Sequence, residues 1–169
     1  MAETDAFKRQ VNPGPEPMKL LELEVPADWI DYNGHMTEYR YTQCYSDACD
    51  VFLHQIGAGA EYVKAGYSYY TVESHVRLLA EAKLGDAIYV TTQVLPSDGK
   101  KLHNFMRLYR ASDDTLLATY ESIMLHVSTK KNRSVSPLPE VMDKLKPIVD
   151  AHAVLPVPEA SGRSIGQRK

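Results

Sequence analysis

Residues 37–56 read TEYRYTQCYSDACDVFLHQI and carry the strongest helical pattern in the sequence. Its apolar side chains recur every three or four residues, which is the period of one helix face. These side chains are Tyr41, Cys44, Tyr45, Ala48, Phe52 and Ile56. At 1.5 Å per residue the helix would be about 30 Å long, enough to cross a small sheet. We therefore predict one long amphipathic helix, ended by the glycines of IGAG at 56–59, whose apolar face needs a sheet to cover it.

The sequence on either side of this helix is typical of strands. Residues 18–26, MKLLELEVP, alternate apolar and charged side chains before a proline. Further β-rich or alternating stretches lie at 68–76, 88–94, 102–110 and 116–127. Turn residues separate the last three, which predicts an antiparallel meander. We predict an α+β fold in which a five-stranded antiparallel sheet wraps around the helix, and a last helix at 139–151 despite Pro147.

The length of 169 residues fits one domain, which we place at 18–152. Residues 1–17 and 153–169 are rich in Pro, Gly and charge, and we expect both to be flexible. A five-stranded sheet leaves two open edges. Pairing with a second copy would remove an edge, so we expect at least a homodimer.

Composition excludes several classes of function. Nineteen Lys and Arg against 22 Asp and Glu give a net charge of −3, which argues against nucleic-acid binding. The N-terminus lacks a signal-peptide pattern and the chain lacks a long apolar run, so we expect a cytoplasmic protein with no membrane partner. Cys44 and Cys49 point about 140° apart on a helix and cannot easily form a disulfide. The six His show no zinc-binding spacing, and we predict no metal.

The candidate site is DWIDYNGHMTEY at 28–39, which lies directly before the long helix. Asp31 could attack a polarised carbonyl or orient a water against it, while Asn33 and His35 add an amide and an imidazole. Backbone amides of Gly34, His35 and Met36 could hold the oxyanion that develops. The same residues also suit turns and helix caps, and spacing alone leaves both interpretations open.

This segment resembles the active-site motif of hotdog-fold acyl-CoA thioesterases, the 4-hydroxybenzoyl-CoA thioesterase-like superfamily. Asp31, Asn33 and His35 match its pattern of Asp, Asn and His at alternate positions before a long helix. The likeness continues through 68–86, 91–103 and 116–127, and is greatest to the bacterial betainyl-CoA thioesterases of carnitine breakdown, which also occur fused to L-carnitine dehydrogenase. Many superfamily members carry two Asn where this chain has Thr37 and Glu38.

The resemblance implies a hotdog fold, a homodimer or dimer of dimers, and acyl-CoA sites at the subunit interface. It implies hydrolysis of a small acyl-CoA, betainyl-CoA to glycine betaine and CoA, with CoA as part of the substrate and no separate cofactor. Asp31 would be the catalytic carboxylate, Asn33 a polar anchor and His35 a site residue. The alternatives are a noncatalytic acyl-CoA binding or sensing protein and a thioesterase for an uncharged acyl-CoA.

Further candidates would act on the substrate. Glu73 could be a catalytic base or a ligand for a cationic acyl group, or else a solvated strand residue. Aromatic faces bind quaternary ammonium groups, and Trp29 and Tyr32 lie close to Asp31 in a sequence with 11 Tyr. Two basic clusters, at 100–101 and 130–133, could contact CoA phosphates or be ordinary solvated loops.

Overall fold

The computed structural model describes residues 14–165. Their strands are β1 (Met18–Glu24), β2 (Tyr67–Leu78), β3 (Ala87–Val94), β4 (Lys101–Arg110), β5 (Thr115–Ser128) and β6 (Arg133–Ser134). Their helices are α1 (Glu38–Gln55), α2 (Ala60–Ala65) and α3 (Pro139–His152), with a 3-10 turn at Ala27–Trp29. The five predicted strands and both predicted helices are confirmed. The 3-10 turn, α2 and β6 are two to six residues long and gave no periodic pattern from which to predict them.

The strands form one antiparallel sheet in the order β1-β3-β4-β5-β2, and β6 pairs with the end of β5. The predicted meander is therefore confirmed as β3-β4-β5. Strands β1 and β2 lie at the edges. The outer side of β2 is the longer edge, because this strand has 12 residues.

Helix α1 packs its apolar face against the sheet, as its periodicity predicts. Tyr41, Cys44, Tyr45, Ala48, Val51 and Phe52 are all buried. The Tyr45 ring stacks on Tyr120 of β5, with centroids 4.9 Å apart. Both cysteines are free. The expected α+β hotdog architecture, a curled sheet around one long helix, is confirmed.

Helix α3 includes Pro147, which is exposed, and continues one residue past the predicted end. Its last residue, His152, attaches it to the sheet. The Val94 amide donates to His152 Nδ1 at 2.9 Å, and Nε2 donates to the Glu16 carbonyl at 3.1 Å.

None of the helices within residues 14–165 is long and apolar enough to cross a membrane.

The expected flexible ends are only partly within the described range. Residues 1–13 and 166–169 lie outside it, and residues 153–165 form no helix or strand but contact the sheet at several points. Gln93 donates to the Pro156 carbonyl at 3.1 Å, and Pro158 is buried. Polar side chains of the sheet thus bind the backbone of a segment that has no helix or strand of its own.

Glu121 of β5 is the main attachment point for this C-terminal segment. Its carboxylate accepts hydrogen bonds from Ser161 Oγ at 2.5 Å, the Gly162 amide at 2.8 Å and His103 Nε2 at 2.8 Å. Partial burial opposes ionisation, but these donors outweigh it and lower the pKa of Glu121. The carboxylate therefore stays charged while it binds the segment.

We expect Phe52→Ala to lower the free energy of unfolding by about 3 to 5 kcal/mol, because Phe52 is fully buried between α1 and the sheet. Urea denaturation measures the change. Thr42→Ala, at an exposed position of the same helix, is the control and should change stability by less than about 0.5 kcal/mol. Equal effects of the two substitutions would contradict the packing described here.

Candidate active site

The segment before α1 forms a tight loop held by its own backbone. The Asp31 amide donates to the His35 carbonyl at 3.0 Å, and the Gly34 amide donates to the Asp31 carbonyl at 3.0 Å. Gly34 has a φ of +81°, in the left-handed region that glycine adopts without strain. The loop therefore brings Asp31 and His35 together, as the sequence motif suggested.

The Asp31 carboxylate forms a turn with Asn33. Oδ1 accepts the Asn33 amide at 2.8 Å, and Asn33 Nδ2 lies 3.4 Å from Oδ2. The turn-forming interpretation of this pair thus describes its local structure. The Asp31 side chain is only partly buried, so part of it still faces solvent. The geometry is compatible with a structural role and leaves the carboxylate accessible to a ligand.

Residues after β2 complete the site. His35 Nε2 lies 2.9 Å from Glu81 Oε2, and the Met36 amide donates to the Ala82 carbonyl at 2.8 Å. Tyr41 of α1 also reaches this segment, since its hydroxyl accepts the Ala82 amide at 3.0 Å. Glu81 was not predicted as a site residue. It is 46 positions from His35, and nothing in its local sequence marks it as a partner of the motif.

Two of the three predicted oxyanion donors already have hydrogen-bond acceptors within the chain. The amides of Gly34 and Met36 already donate to backbone carbonyls of the loop and of Ala82. Of the three predicted donors, only the His35 amide has no acceptor among residues 14–165.

The first turn of α1 offers two further amides. Those of Glu38 and Tyr39 lack an acceptor in the described part of the chain. Thr37 does not cap them, because its hydroxyl donates to the Trp29 carbonyl at 3.0 Å. An uncapped helix start beside a carboxylate is suited to bind an oxygen that carries negative charge.

The remaining sequence candidates differ in how far they are exposed. Trp29 is buried, and the Arg40 guanidinium covers its ring at 5.1 Å, so that face is not available to a substrate. Tyr32 is 98% exposed at the tip of the loop. Glu73 is an exposed residue of β2, eight positions before Glu81. Within one chain, the carboxylate that joins the Asp31 loop is therefore Glu81 and not Glu73.

A cavity of about 190 Å³ lies further along α1, between this helix and strands β2 and β5. We call it the α1 cavity. Three aromatic rings and one carboxylate are among its lining residues: Tyr45, Tyr69, Tyr120 and Asp50. Ser46 and Cys49 of α1 also line it. The sequence did not predict this grouping, because the tyrosines come from three elements that are distant along the chain.

The comparisons with known proteins agree with this fold. The model of the thioesterase-like superfamily matches residues 25–145. An L-carnitine dehydrogenase/betainyl-CoA thioesterase of Rhizobium meliloti (strain 1021) is 50% identical over 153 residues, which cover 90% of this chain and 31% of that protein. This chain thus spans about a third of the length of that relative. A betainyl-CoA thioesterase of Pseudomonas aeruginosa is 38% identical, and the match covers 86% of this chain and 92% of that protein.

Solved structures extend the likeness to three dimensions. A hypothetical protein from Staphylococcus aureus, solved in complex with CoA, superposes with a TM-score of 0.83 at 26% sequence identity. The superposition covers 90% of this chain and 97% of that protein. The family match spans α1, the Asp31 loop and the four strands β2 to β5, and the P. aeruginosa relative is matched over nearly its whole length. On these grounds the chain belongs to the thioesterase-like superfamily.

Proposed function

We propose that the protein hydrolyses an acyl-CoA thioester, with Asp31 as the catalytic carboxylate. The observation that carries this proposal is the partly exposed Asp31 carboxylate in a rigid loop directly before the uncapped start of α1. A thioester hydrolase needs both elements: a group that delivers oxygen to the carbonyl carbon, and donors that stabilise the oxyanion.

The reaction adds water across the C–S bond. Asp31 either attacks the carbonyl carbon itself, forming an anhydride that water then opens, or removes a proton from the attacking water. In both routes the carbonyl oxygen gains negative charge, and the amides of His35, Glu38 and Tyr39 are the available donors. The thiolate of CoA leaves and takes up a proton.

Other residues of the loop would position these groups. The His35 side chain is held by Glu81, which fixes the loop against the segment after β2. Asn33 makes only a long 3.4 Å contact to Asp31 through its side chain, so its amide group can turn to a substrate or to the attacking water.

We propose further that the active form is at least a homodimer joined through β2. This edge strand exposes Tyr70 and Val72, which are 54% and 55% exposed, in the middle of a 12-residue strand. Unpaired backbone groups on a long apolar edge favour pairing with another strand. A two-fold axis perpendicular to β2 would pair it antiparallel with its own copy.

This symmetry has a consequence for the site. The Asp31 loop lies at the C-terminal end of β2, where it contacts Glu81 and Ala82. The α1 cavity is lined by Tyr69 and Thr71, near the N-terminal end of the same strand. Antiparallel pairing places the C-terminal end of the partner's strand beside this N-terminal end. The partner's Asp31 loop would thus approach the α1 cavity of this chain, giving a site made from both subunits.

We propose that the acyl group is betainyl, the group named for the R. meliloti and P. aeruginosa relatives. Its trimethylammonium end has no hydrogen to donate, so a protein binds it with aromatic faces and a carboxylate. Tyr45, Tyr69 and Tyr120 supply aromatic side chains in the α1 cavity, and Asp50 supplies negative charge. Trp29, in contrast, already has Arg40 over its ring.

Asp31→Asn should lower kcat/KM for betainyl-CoA by about 10² to 10⁴-fold, because an amide can neither attack nor accept the proton. Thiol release, followed with a colorimetric thiol reagent, measures the loss. Asp143→Asn removes an exposed carboxylate from α3 and serves as the charge-matched control, with activity unchanged. Wild-type activity in Asp31→Asn would reject this role, and tight binding of acyl-CoA without thiol release by the wild type would establish a noncatalytic binding protein.

Asp50→Asn should lower the hydrolysis of a charged acyl group and leave that of a neutral one unchanged. We expect kcat/KM for betainyl-CoA to fall about tenfold, while hydrolysis of 3,3-dimethylbutanoyl-CoA, its uncharged isostere, stays the same. Asp47→Asn changes a carboxylate on the same helix that does not line the cavity, and it should spare both substrates. If Asp50→Asn impairs the two substrates equally, the α1 cavity does not recognise the cation.

A further inference from the structure

A second cavity, of about 360 Å³, lies on the opposite face of the sheet from α1. Arg77 of β2, Thr119 of β5 and Arg107 of β4 are paired in register and so form one row across three strands. Tyr120 follows Thr119 and stacks on α1, so the row points to the outer face. The C-terminal segment crosses this face and contributes residues 158–160 and Arg163 to the cavity.

Three guanidinium groups thus line one cavity, those of Arg77, Arg107 and Arg163. None of the three forms an ion pair with a carboxylate among residues 14–165. Arg107 instead lies over the Phe105 ring at 4.9 Å. Glu159 also lines the cavity and offsets part of the positive charge. Three guanidinium groups and one carboxylate leave the lining with a net positive charge, which favours binding of an anion.

The chemistry of the lining selects the anion. Guanidinium groups donate paired hydrogen bonds whose geometry matches phosphate oxygens. Apolar side chains form the rest of the wall: Leu79, Phe105, Leu116, Pro158 and Ala160. Inorganic phosphate would leave this apolar surface uncovered, whereas a phosphate ester with an organic group would cover it.

We propose that this outer cavity is a binding site for a phosphorylated organic molecule, held by Arg77, Arg107 and Arg163. Two sources share this chemistry. One is the nucleotide end of the CoA substrate, a case that rests on the proposed function. Leu79 of the cavity is two residues before Glu81, which binds the loop of Asp31, so the pantetheine arm of CoA is long enough to join the two sites. The other source is a separate nucleotide.

Glu121 would act as a positioning residue for this site. By binding Ser161 and Gly162 it fixes the segment that carries Arg163 and closes one side of the cavity. The ligand would thus bind between the sheet and a segment that Glu121 holds in place.

Calorimetric titration with adenosine 3′,5′-bisphosphate and with ATP tests the site on the full chain. We expect at least one of them to bind wild type, adenosine to bind about tenfold or more weakly, and Arg77→Gln and Arg107→Gln each to weaken binding about tenfold or more. Lys146→Gln, which removes an exposed cation from α3, is the control and should bind as wild type does. The proposal is overturned if neither nucleotide binds wild type, or if the arginine variants bind as the control does.

Two further measurements distinguish a binding role of the arginines from a structural one and identify the source of the ligand. Thermal melting of the ligand-free arginine variants should give a Tm close to that of wild type, because none of the three arginines forms an ion pair among residues 14–165. A clearly lowered Tm with unchanged nucleotide affinity would indicate a structural role instead. Comparing KM for an acyl-CoA with KM for the matching acyl-N-acetylcysteamine, which lacks phosphate, distinguishes the two sources of the phosphorylated ligand. A rise for acyl-CoA alone in Arg107→Gln identifies the substrate's own nucleotide, and no rise for either, with weakened ATP binding, identifies a separate one. Absence of hydrolysis by wild type would reject the thioesterase proposal and leave the binding result intact.

Discussion

The packing of α1 against the concave face of the sheet is the contact on which the rest of the structure depends. Six side chains of the helix are buried there. Their burial fixes the position of the first turn, and with it the loop that carries Asp31 and His35. It also fixes the middle of the helix, where Ser46, Cys49 and Asp50 form one wall of the α1 cavity. One rigid element thus sets the spacing between the carboxylate and the cavity.

The order of the strands adds a second constraint. Placing β2 at the edge leaves a 12-residue strand open on one side, with the Asp31 loop at one end and the α1 cavity near the other. A carboxylate and a cavity at opposite ends of one strand do not form a compact site within a single chain. The proposed two-fold axis through β2 would resolve this, because it exchanges the two ends.

The elements that the sequence predicted are those with a local signal. Helix α1 and the main strands follow from the spacing of apolar residues, and the DxNxH loop is contiguous. Glu81, the α1 cavity and the row of Arg77 and Arg107 arise where the fold brings together residues that are distant along the chain. The contacts of the C-terminal segment could not be predicted from its own composition, because the groups that bind it, Gln93 and Glu121, lie elsewhere in the chain.

The central claim, that each active site combines the Asp31 loop of one subunit with the α1 cavity of the other, can be tested by mixing two inactive variants. One is Asp31→Asn, and the other is Ser46→Trp, which fills the cavity from α1. Subunit exchange between them creates mixed dimers with one intact composite site. If each site is shared in this way, an equimolar mixture should recover about a quarter of wild-type thiol release. Activity no higher than that of the separate variants, with mixed dimers shown to form, would contradict it.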